Sequence, residues 1–458
     1  MKRLRLFMPL VSALLAVLCF APTAWAFCGF YVAKADTKLY NQASQVILAR
    51  DGNRTVLTMA NDFQGDVKDF AIVVPVPTVL QKEQVRVAEP KIIERLDAFS
   101  APRLVEYFDS DPCGYIPEGA SAGVVRETTG RPTERTVMDK DSILGVTVEA
   151  KFNVGEYDIV ILSAKESGGL ETWLNRNGYK IPQGAKELLK PYIRSAMKFF
   201  VAKVNLDKFA ESGYQFLRPL QISYESWKFM LPIRLGMVNA TKEQDLIIYI
   251  LSPKGQAEIT NYRTVKVPSD VNIPVFVKNQ FGDFYKSMFQ NSYTKEDKKV
   301  GFLEYAWDMS TCDPCAAEPL NNEELKQAGV FWLNDNSDSN SPIAPGFRSR
   351  FPSSSVFITR LHVRYTRNEF PEDLIFQETA QRDSFQGRYI LQHPFTGKVK
   401  CSAGRRYKSS LRRRFEQEAQ NLARLTNWNI QDIRQKMKLS MGNISNSWWD
   451  NVLSWLRF

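Results

Sequence analysis

Histidine is scarce: His362 and His393 are the two in 458 residues. A Ser-His-Asp triad or a two-histidine metal site would have to use one or both, and no H-E-x-x-H helix is present. His362 falls in a predicted strand and His393 precedes Pro394, so each reads as a structural or exposed residue. A Gly-rich phosphate loop is lacking too. Ser195-Ala-Met-Lys198 has the S-x-x-K spacing of penicillin-binding proteins without a K-T-G partner. So short a pattern arises by chance roughly once in a chain this long, and it reads as ordinary helix. After the first residues, no apolar run approaches the roughly 20 residues of a membrane-spanning helix.

Positive charge is missing where a nucleic-acid surface would need it. The net charge is +10, but residues 401–458 hold eleven Lys and Arg against four acidic residues, and the first 26 hold three more cations, Lys2, Arg3 and Arg5. Residues 27–400 are therefore neutral overall, so a nucleic-acid reading of the body has no support and no nucleic-acid partner is expected. With 44% hydrophobic residues the composition is globular, and the length suits about two to three domains.

The opening MKRLRLFMPLVSALLAVLCFAPTAWAFC has a basic start, an apolar core from Leu6 to about Ala21 and the small pair Ala24-x-Ala26. These are the three parts of a secretory signal, so residues 1–26 are expected to be cleaved and the protein to be exported, periplasmic or envelope-associated. Leu18 before Cys19 and Phe27 before Cys28 are too large for a lipoprotein acceptor site. Export makes disulfides the default for the five cysteines that remain, Cys28, Cys113, Cys312, Cys315 and Cys401. Two bridges among five cysteines allow fifteen connectivities, and spacing does not choose among them. The disulfide candidates are Cys28, Cys113, Cys312 and Cys315, with at least one bridge including Cys312 or Cys315.

Cys312-Asp-Pro-Cys315 places a proline before its second cysteine, as redox-active pairs do. Pro319, however, would break the helix whose dipole lowers the thiol pKa in such pairs, and Asp313 disfavours the thiolate. A structural staple is the expectation, and a thiol-disulfide oxidoreductase using Cys312 and Cys315 the alternative. Zinc would need two more thiols in an oxidising compartment, so no metal and no cofactor are expected. Asp109 and Asp111, in YFDSDPCGYIPEG, could join Glu118 in a weak cation site, although Asp-x-Asp-Pro is more often a turn. A bridge from Cys113 to the CDPC segment would bring two DPC turns together.

Residues 45–62 read as a hairpin around Asp51-Gly52-Asn53, and FAIVVPVP (70–77) as a short strand ended by prolines. Ile92, Leu96 and Phe99 have helical spacing before Pro102; 142–164 gives two strands around Asn153-Val154-Gly155; 184–209 passes from helix to strand. Further strands fall at 219–240, 245–253 and 356–367. The expected fold is α+β, a largely antiparallel sheet with a few helices and a C-terminal helical tail. Expected boundaries are a main domain at 27–300, a β-rich extension at 301–400 with the CDPC segment and a polar loop at 335–342, and the tail at 401–458. FCGFYVAKADTKLYNQASQVILARDGNRTVLTMANDFQGD, AIVVPVP, DIVILSA running into GLETWLNRNGYKIP, and EYAWDMSTCDPC, in that order, together resemble one bacterial family of exported proteins. That family is catalogued only as domain of unknown function 2330, and the similarity covers about residues 28–400. The resemblance implies export and one large β-rich body; it supplies no reaction, cofactor or catalytic residue.

In the tail Leu411, Phe415, Leu422 and Leu425, then Ile430, Ile433, Met437 and Met441, recur at helical spacing with most of the basic residues between them. Gly442 ends that pattern, and Ser447 can cap a last helix rich in tryptophan. Two uses fit. The helices dock on the body or self-associate, or they rest on an anionic membrane surface through Arg412, Arg413, Arg414, Trp448, Trp449 and Trp455. A chain ending at residue 400 is expected to stay folded and soluble. The functional expectation is a non-catalytic binding or scaffold protein of the bacterial envelope, its small-molecule ligand unknown. A hydrolase with an unrecognised site is a further alternative.

Overall fold

The computed structural model describes residues 30–33, 43–60, 70–114, 146–179, 184–212, 217–238, 243–311, 313, 317–333 and 355–442. From the N-terminus it runs through β1 (Phe30–Ala33), β2 (Ala43–Asp51), β3 (Arg54–Met59), β4 (Phe70–Val76) and β5 (Val85–Val87), then α1 (Lys91–Ser100) and β6 (Arg103–Phe108). β7 (Val146–Val154) and β8 (Tyr157–Ala164) precede α2 (Ser167–Arg176), α3 (Ala185–Arg194), β9 (Lys198–Val204), α4 (Leu206–Ser212), β10 (Leu220–Glu225) and β11 (Met230–Leu231). Next come β12 (Gln244–Ser252), β13 (Ala257–Ile259), β14 (Arg263–Lys266), β15 (Val271–Asn272), α5 (Phe281–Lys295), β16 (Val300–Asp308) and α6 (Asn322–Gln327). The last elements are β17 (Phe357–Tyr365), β18 (Leu374–Glu378), β19 (Phe385–Gln386), β20 (Arg388–His393), α7 (Ser402–Thr426) and α8 (Ile430–Gly442).

Two sheets share the main core. One has five strands in the order β1-β4-β9-β8-β7; the other has nine, ordered β14-β16-β17-β12-β2-β3-β10-β5 with β19 paired to β16. Their pairings are antiparallel except β2 with β12 and β14 with β16. Because side chains alternate along a strand, each sheet presents one face to the other. Leu57, Ile222, Ile248 and Leu361 of the larger sheet meet Ile72, Ile159 and Phe200 of the smaller in one apolar cluster. The outer face of the five-stranded sheet is covered by α2 and α3 through Leu170, Leu174, Leu189 and Tyr192. The outer face of the nine-stranded sheet takes α1 and α6 through Ile92, Leu96 and Leu325. The layers run helix, sheet, sheet, helix, an α+β fold as expected.

The tight turns fall where the sequence calls for them. Gly52 joins β2 to β3 at φ 55° and Gly155 joins β7 to β8 at φ 52°, both in the region that favours glycine. β16 and β17 lie between β14 and β12, so strands on both sides of residue 300 share the nine-stranded sheet.

The C-terminal helices are docked. Leu411, Phe415, Leu422 and Leu425 of α7 and Ile433 and Met437 of α8 share a cluster with Phe284 and Met288 of α5 and with Tyr389 and Leu391 of β20. α7 ends at Asn427, whose φ of 60° turns the chain into α8. Its last carbonyls, which lack partners within the helix, accept from α5. Asn291 Nδ2 is 2.7 Å from Leu425 O, and Lys295 Nζ is 3.2 Å from Arg424 O. Arg434 Nη2 on α8 binds Glu416 Oε1 on α7 at 2.5 Å. A chain ending at residue 400 would bare the apolar side of α5, so the expectation that it stays soluble is revised. Such a chain should bind a hydrophobic dye and aggregate, and Phe415→Ala in the full chain should cost about 3–5 kcal/mol in denaturant titrations. Equal unfolding midpoints for the cut and full chains would show that docking adds no stability.

Candidate functional site

Asp109, Asp111 and Cys113 lie beyond the end of β6, where the body meets α7. Cys113 is bridged to Cys401, the residue that caps the start of α7. The Cys401 sulfur also accepts from Gly404 N at 3.2 Å. A Cβ on Gly404 would stand 1.5 Å from Val399 Cγ1 and 3.3 Å from Cys113 Sγ, so only glycine lets the helix start so close to the bridge. The DPC turn is therefore joined to the tail and not to the CDPC segment. Asp111 builds the turn itself, its Oδ1 accepting from Cys113 N at 2.8 Å.

Asp109 receives Arg414 Nη1 at 2.7 Å, Tyr407 OH at 2.5 Å and Gln392 Nε2 at 2.5 Å. Burial alone would raise its carboxyl, but these donors prevail and hold it below the usual carboxylate range. A guanidinium thus occupies Asp109, and Glu118 lies outside the described residues. Among the described residues no group of three or more His, Cys, Asp and Glu side chains is placed to hold a metal ion. Arg414 belongs to this joint, whereas Arg412 and Arg413 are exposed. One turn on, Glu418 is buried; Arg414 Nε is 3.5 Å from its Oε1 without forming a hydrogen bond. Burial lifts the Glu418 carboxyl to about 8, with Arg414 opposing and Asp109 adding to the rise.

Residues 1–26, Cys28, Cys312, Cys315, the loop 335–342, Trp448, Trp449 and Trp455 lie outside the described residues. Asp313 is described, and it is buried. Its carboxylate accepts from Tyr305 OH of β16 at 3.0 Å and Gln386 Nε2 of β19 at 2.8 Å. Ser195 and Lys198 do not share a helix: Ser195 caps the end of α3 and Lys198 opens β9. One spacing escaped the sequence reading. Gly119-Ala120-Ser121-Ala122-Gly123 fits G-x-S-x-G, which acts as a nucleophile elbow only between a strand and a helix; it lies outside the described residues.

A second assembly of ionisable groups among the described residues was missed as well. β17 turns Leu361, Val363 and Tyr365 into the core between the sheets and Arg360, His362 and Arg364 to the opposite side. A register shift between Leu303 and Tyr305 marks the place of Glu304 on the neighbouring β16. Glu304 Oε2 accepts from Arg360 Nε at 2.6 Å, while Oε1 meets His362 Nδ1 at 2.8 Å and the Tyr285 hydroxyl of α5. His362 Nε2 lies 3.1 Å from Asp245 Oδ1, and Arg364 grips both oxygens of Asp245 at 2.7 and 2.8 Å. Arg360 Nη1 reaches Asp97 Oδ1 of α1 at 2.6 Å. Burial would raise Glu304, but His362 and Arg360 outweigh it and hold the carboxyl down at about 2. Burial would likewise lower His362, and Glu304 and Asp245 raise it instead.

This constellation joins elements together. Both nitrogens of His362 are engaged by carboxylates, and the Phe289 ring stacks on the imidazole at 3.8 Å. No serine, cysteine or threonine hydroxyl or thiol is hydrogen-bonded to it among the described residues. His393 is half-buried, with Nε2 2.8 Å from Glu106 Oε2 and the ring stacked on Phe108. A strand with three polar residues on one face and three apolar on the other, in a stretch buried on both, was the signal that could have revealed the network.

The molecule is thus an α+β protein in which a buried ionic network spans the main sheet and a disulfide fastens a helical tail to the body. The chain belongs to the family described as uncharacterized protein conserved in bacteria, domain of unknown function 2330, which matches residues 22–377. No curated protein and no solved structure matches it. The matched segment ends within β18, short of the expected residue 400, so β19, β20, α7 and α8 lie beyond it.

Non-reduced peptide mapping should recover Cys113 linked to Cys401; finding both alkylated without prior reduction would remove the bridge. The network sets a pH window. A raised His362 contributes stability fully below its ordinary 6.5 and loses it as pH rises through the raised value. A depressed Glu304 contributes above its ordinary 4.5 and loses that as pH falls towards about 2. The Tm difference between the wild type and His362→Gln should therefore be widest near pH 4.5 to 6.5 and narrow on both sides. A difference independent of pH would mean that His362 is not charged in the fold.

Proposed function

We propose that this is an exported, non-catalytic protein of the bacterial envelope whose α7 rests against an anionic membrane surface while holding the body by its other side. The observation that carries this is the separation of the two faces of α7. Its apolar stripe lies against α5 and β20, and Arg405, Arg406, Arg412 and Arg413 are exposed to solvent. Lys398 and Lys400 stand exposed just before the helix, and no acidic residue occurs from 384 to 415. The N-terminal signal features support export.

Docking changes the expected mode of contact. No described helix is long and apolar enough to cross a membrane, and the stripe that could have dipped into lipid is occupied. Arg414 is paired with Asp109 and is withdrawn from the membrane contacts. Attraction then comes from exposed cations, each worth about 1 kcal/mol near an anionic surface and screened by salt.

The mature protein should sediment with vesicles containing phosphatidylserine at low salt and not with neutral phosphatidylcholine vesicles. Charge reversal of Arg405, Arg406, Arg412 and Arg413 to Glu should abolish sedimentation without shifting Tm by more than about 2 °C, as exposed substitutions have small effects. Undiminished sedimentation of the reversed variant would sink the proposal, and self-association of the free protein in ultracentrifugation would replace it with a protein partner.

A further inference from the structure

We infer that the recess between β3, β5, β10 and the end of α6 is a binding site for a small organic oxyanion, a carboxylate or phosphate attached to an apolar body. It lies apart from α7 and does not rest on the membrane reading. Alternation along the strands sets Arg54 and Val56 of β3, Gln221 and Ser223 of β10 and Arg86 of β5 on the outer face of the nine-stranded sheet. Elsewhere that face is roofed by helices. Here the roof stops, because α6 ends at Gln327 and the chain turns down at Gly329 with φ 98°. A Cβ on Gly329 would stand 2.6 Å from Val56 Cγ1, so glycine permits the close approach that makes Val330 and Phe331 a side wall. The space enclosed is about 280 Å³, enough for a small molecule and far too little for a macromolecule.

Several arginines of this chain are neutralised by ion pairs, and those of this recess are not. Arg95, Arg218, Arg360, Arg364, Arg382 and Arg414 each bind a carboxylate. Arg54 and Arg86 bind none among the described residues. Neutral groups hold them in place: Arg86 Nε donates to Gln221 Oε1 at 2.5 Å and Arg86 Nη2 to Lys326 O at 3.0 Å. Gln221 is itself fixed by donating to Thr58 Oγ1 at 2.6 Å and Gln327 O at 3.0 Å. Arg54 lies over the Phe331 ring at 4.4 Å, with Nε 3.4 Å from Ser223 Oγ. Lys326 adds a third cation, and Glu83 is the carboxylate in the lining.

Two guanidinium groups oriented by neutral acceptors keep their charge for a ligand, and their planar forks suit the paired oxygens of a carboxylate or phosphate. Val56, Val330 and Phe331 offer the apolar body a surface. Glu83 at the same recess disfavours a ligand with charge spread over its whole length.

The test is calorimetric titration of the full mature chain with benzoate, phenyl phosphate, inorganic phosphate and sodium chloride at constant ionic strength. Benzoate or phenyl phosphate should bind saturably, at least tenfold more tightly than inorganic phosphate, and the preference between the two identifies the oxyanion. Arg54→Gln and Arg86→Gln, checked for an unchanged circular dichroism spectrum, should each weaken binding at least tenfold; the α7 charge-reversed protein should bind as the wild type does. No saturable binding of either aromatic probe, binding unchanged in both Gln variants, or inorganic phosphate binding as well as phenyl phosphate would overturn the assignment.

Discussion

A carboxylate in the middle of a sheet has to be met by donors on both oxygens, and Glu304, with 1% of its side chain exposed, sets that demand here. The donors come from different places: Arg360 and His362 from β17 and Tyr285 from α5. Arg360 in turn reaches Asp97 on α1, and His362 reaches Asp245 on β12. One buried charge therefore fixes the spacing of three adjacent strands and the seats of two helices. α5 carries the demand further, because its other side is the surface on which α7 and α8 lie.

The tail is continuous with the body in the same physical sense. β20 pairs in parallel with β6 on one side and β15 on the other, so residues beyond the family-matched segment join two strands within it. The Cys113–Cys401 bridge and the Asp109 cluster then hold the first turns of α7 to the end of β6. A segment that looks appended in the sequence supplies both a strand and a cover for α5.

Local features were legible where one residue type decides the backbone. The Asp51-Gly52-Asn53 turn and the stripe from Leu411 to Leu425 follow from positive φ and helical periodicity, which need no distant partner. The order of strands did not, because β2 pairs in parallel with β12 across some 200 residues of chain. For the same reason β16 and β17 carry no local mark that they join the sheet that β2 and β3 begin. Asp111 builds the turn, but Asp109 pairs with Arg414, which lies 305 residues away, and neither residue advertises the other. Arg412, Arg413 and Arg414 are alike in composition; only the burial of Leu411 and Phe415 turns the third towards the body. In the recess, Gly329 gives no sequence sign that it faces Val56.

The bridge between Cys113 and Cys401 spans 288 positions, and chains are made from the N-terminus. Cys113 is therefore finished long before its partner, and during that interval Cys28, Cys312 and Cys315 all precede Cys401 as candidates for pairing. Each wrong pairing must be undone by thiol exchange before α7 can be fastened, a slow process without an isomerase. Because the last helices also cover α5, the earlier-made residues cannot reach their final solvation until the C-terminus arrives. Completion of this fold is a late event, tied to the residues from Cys401 onward, and its yield depends on the disulfide-exchange capacity of the compartment in which it occurs.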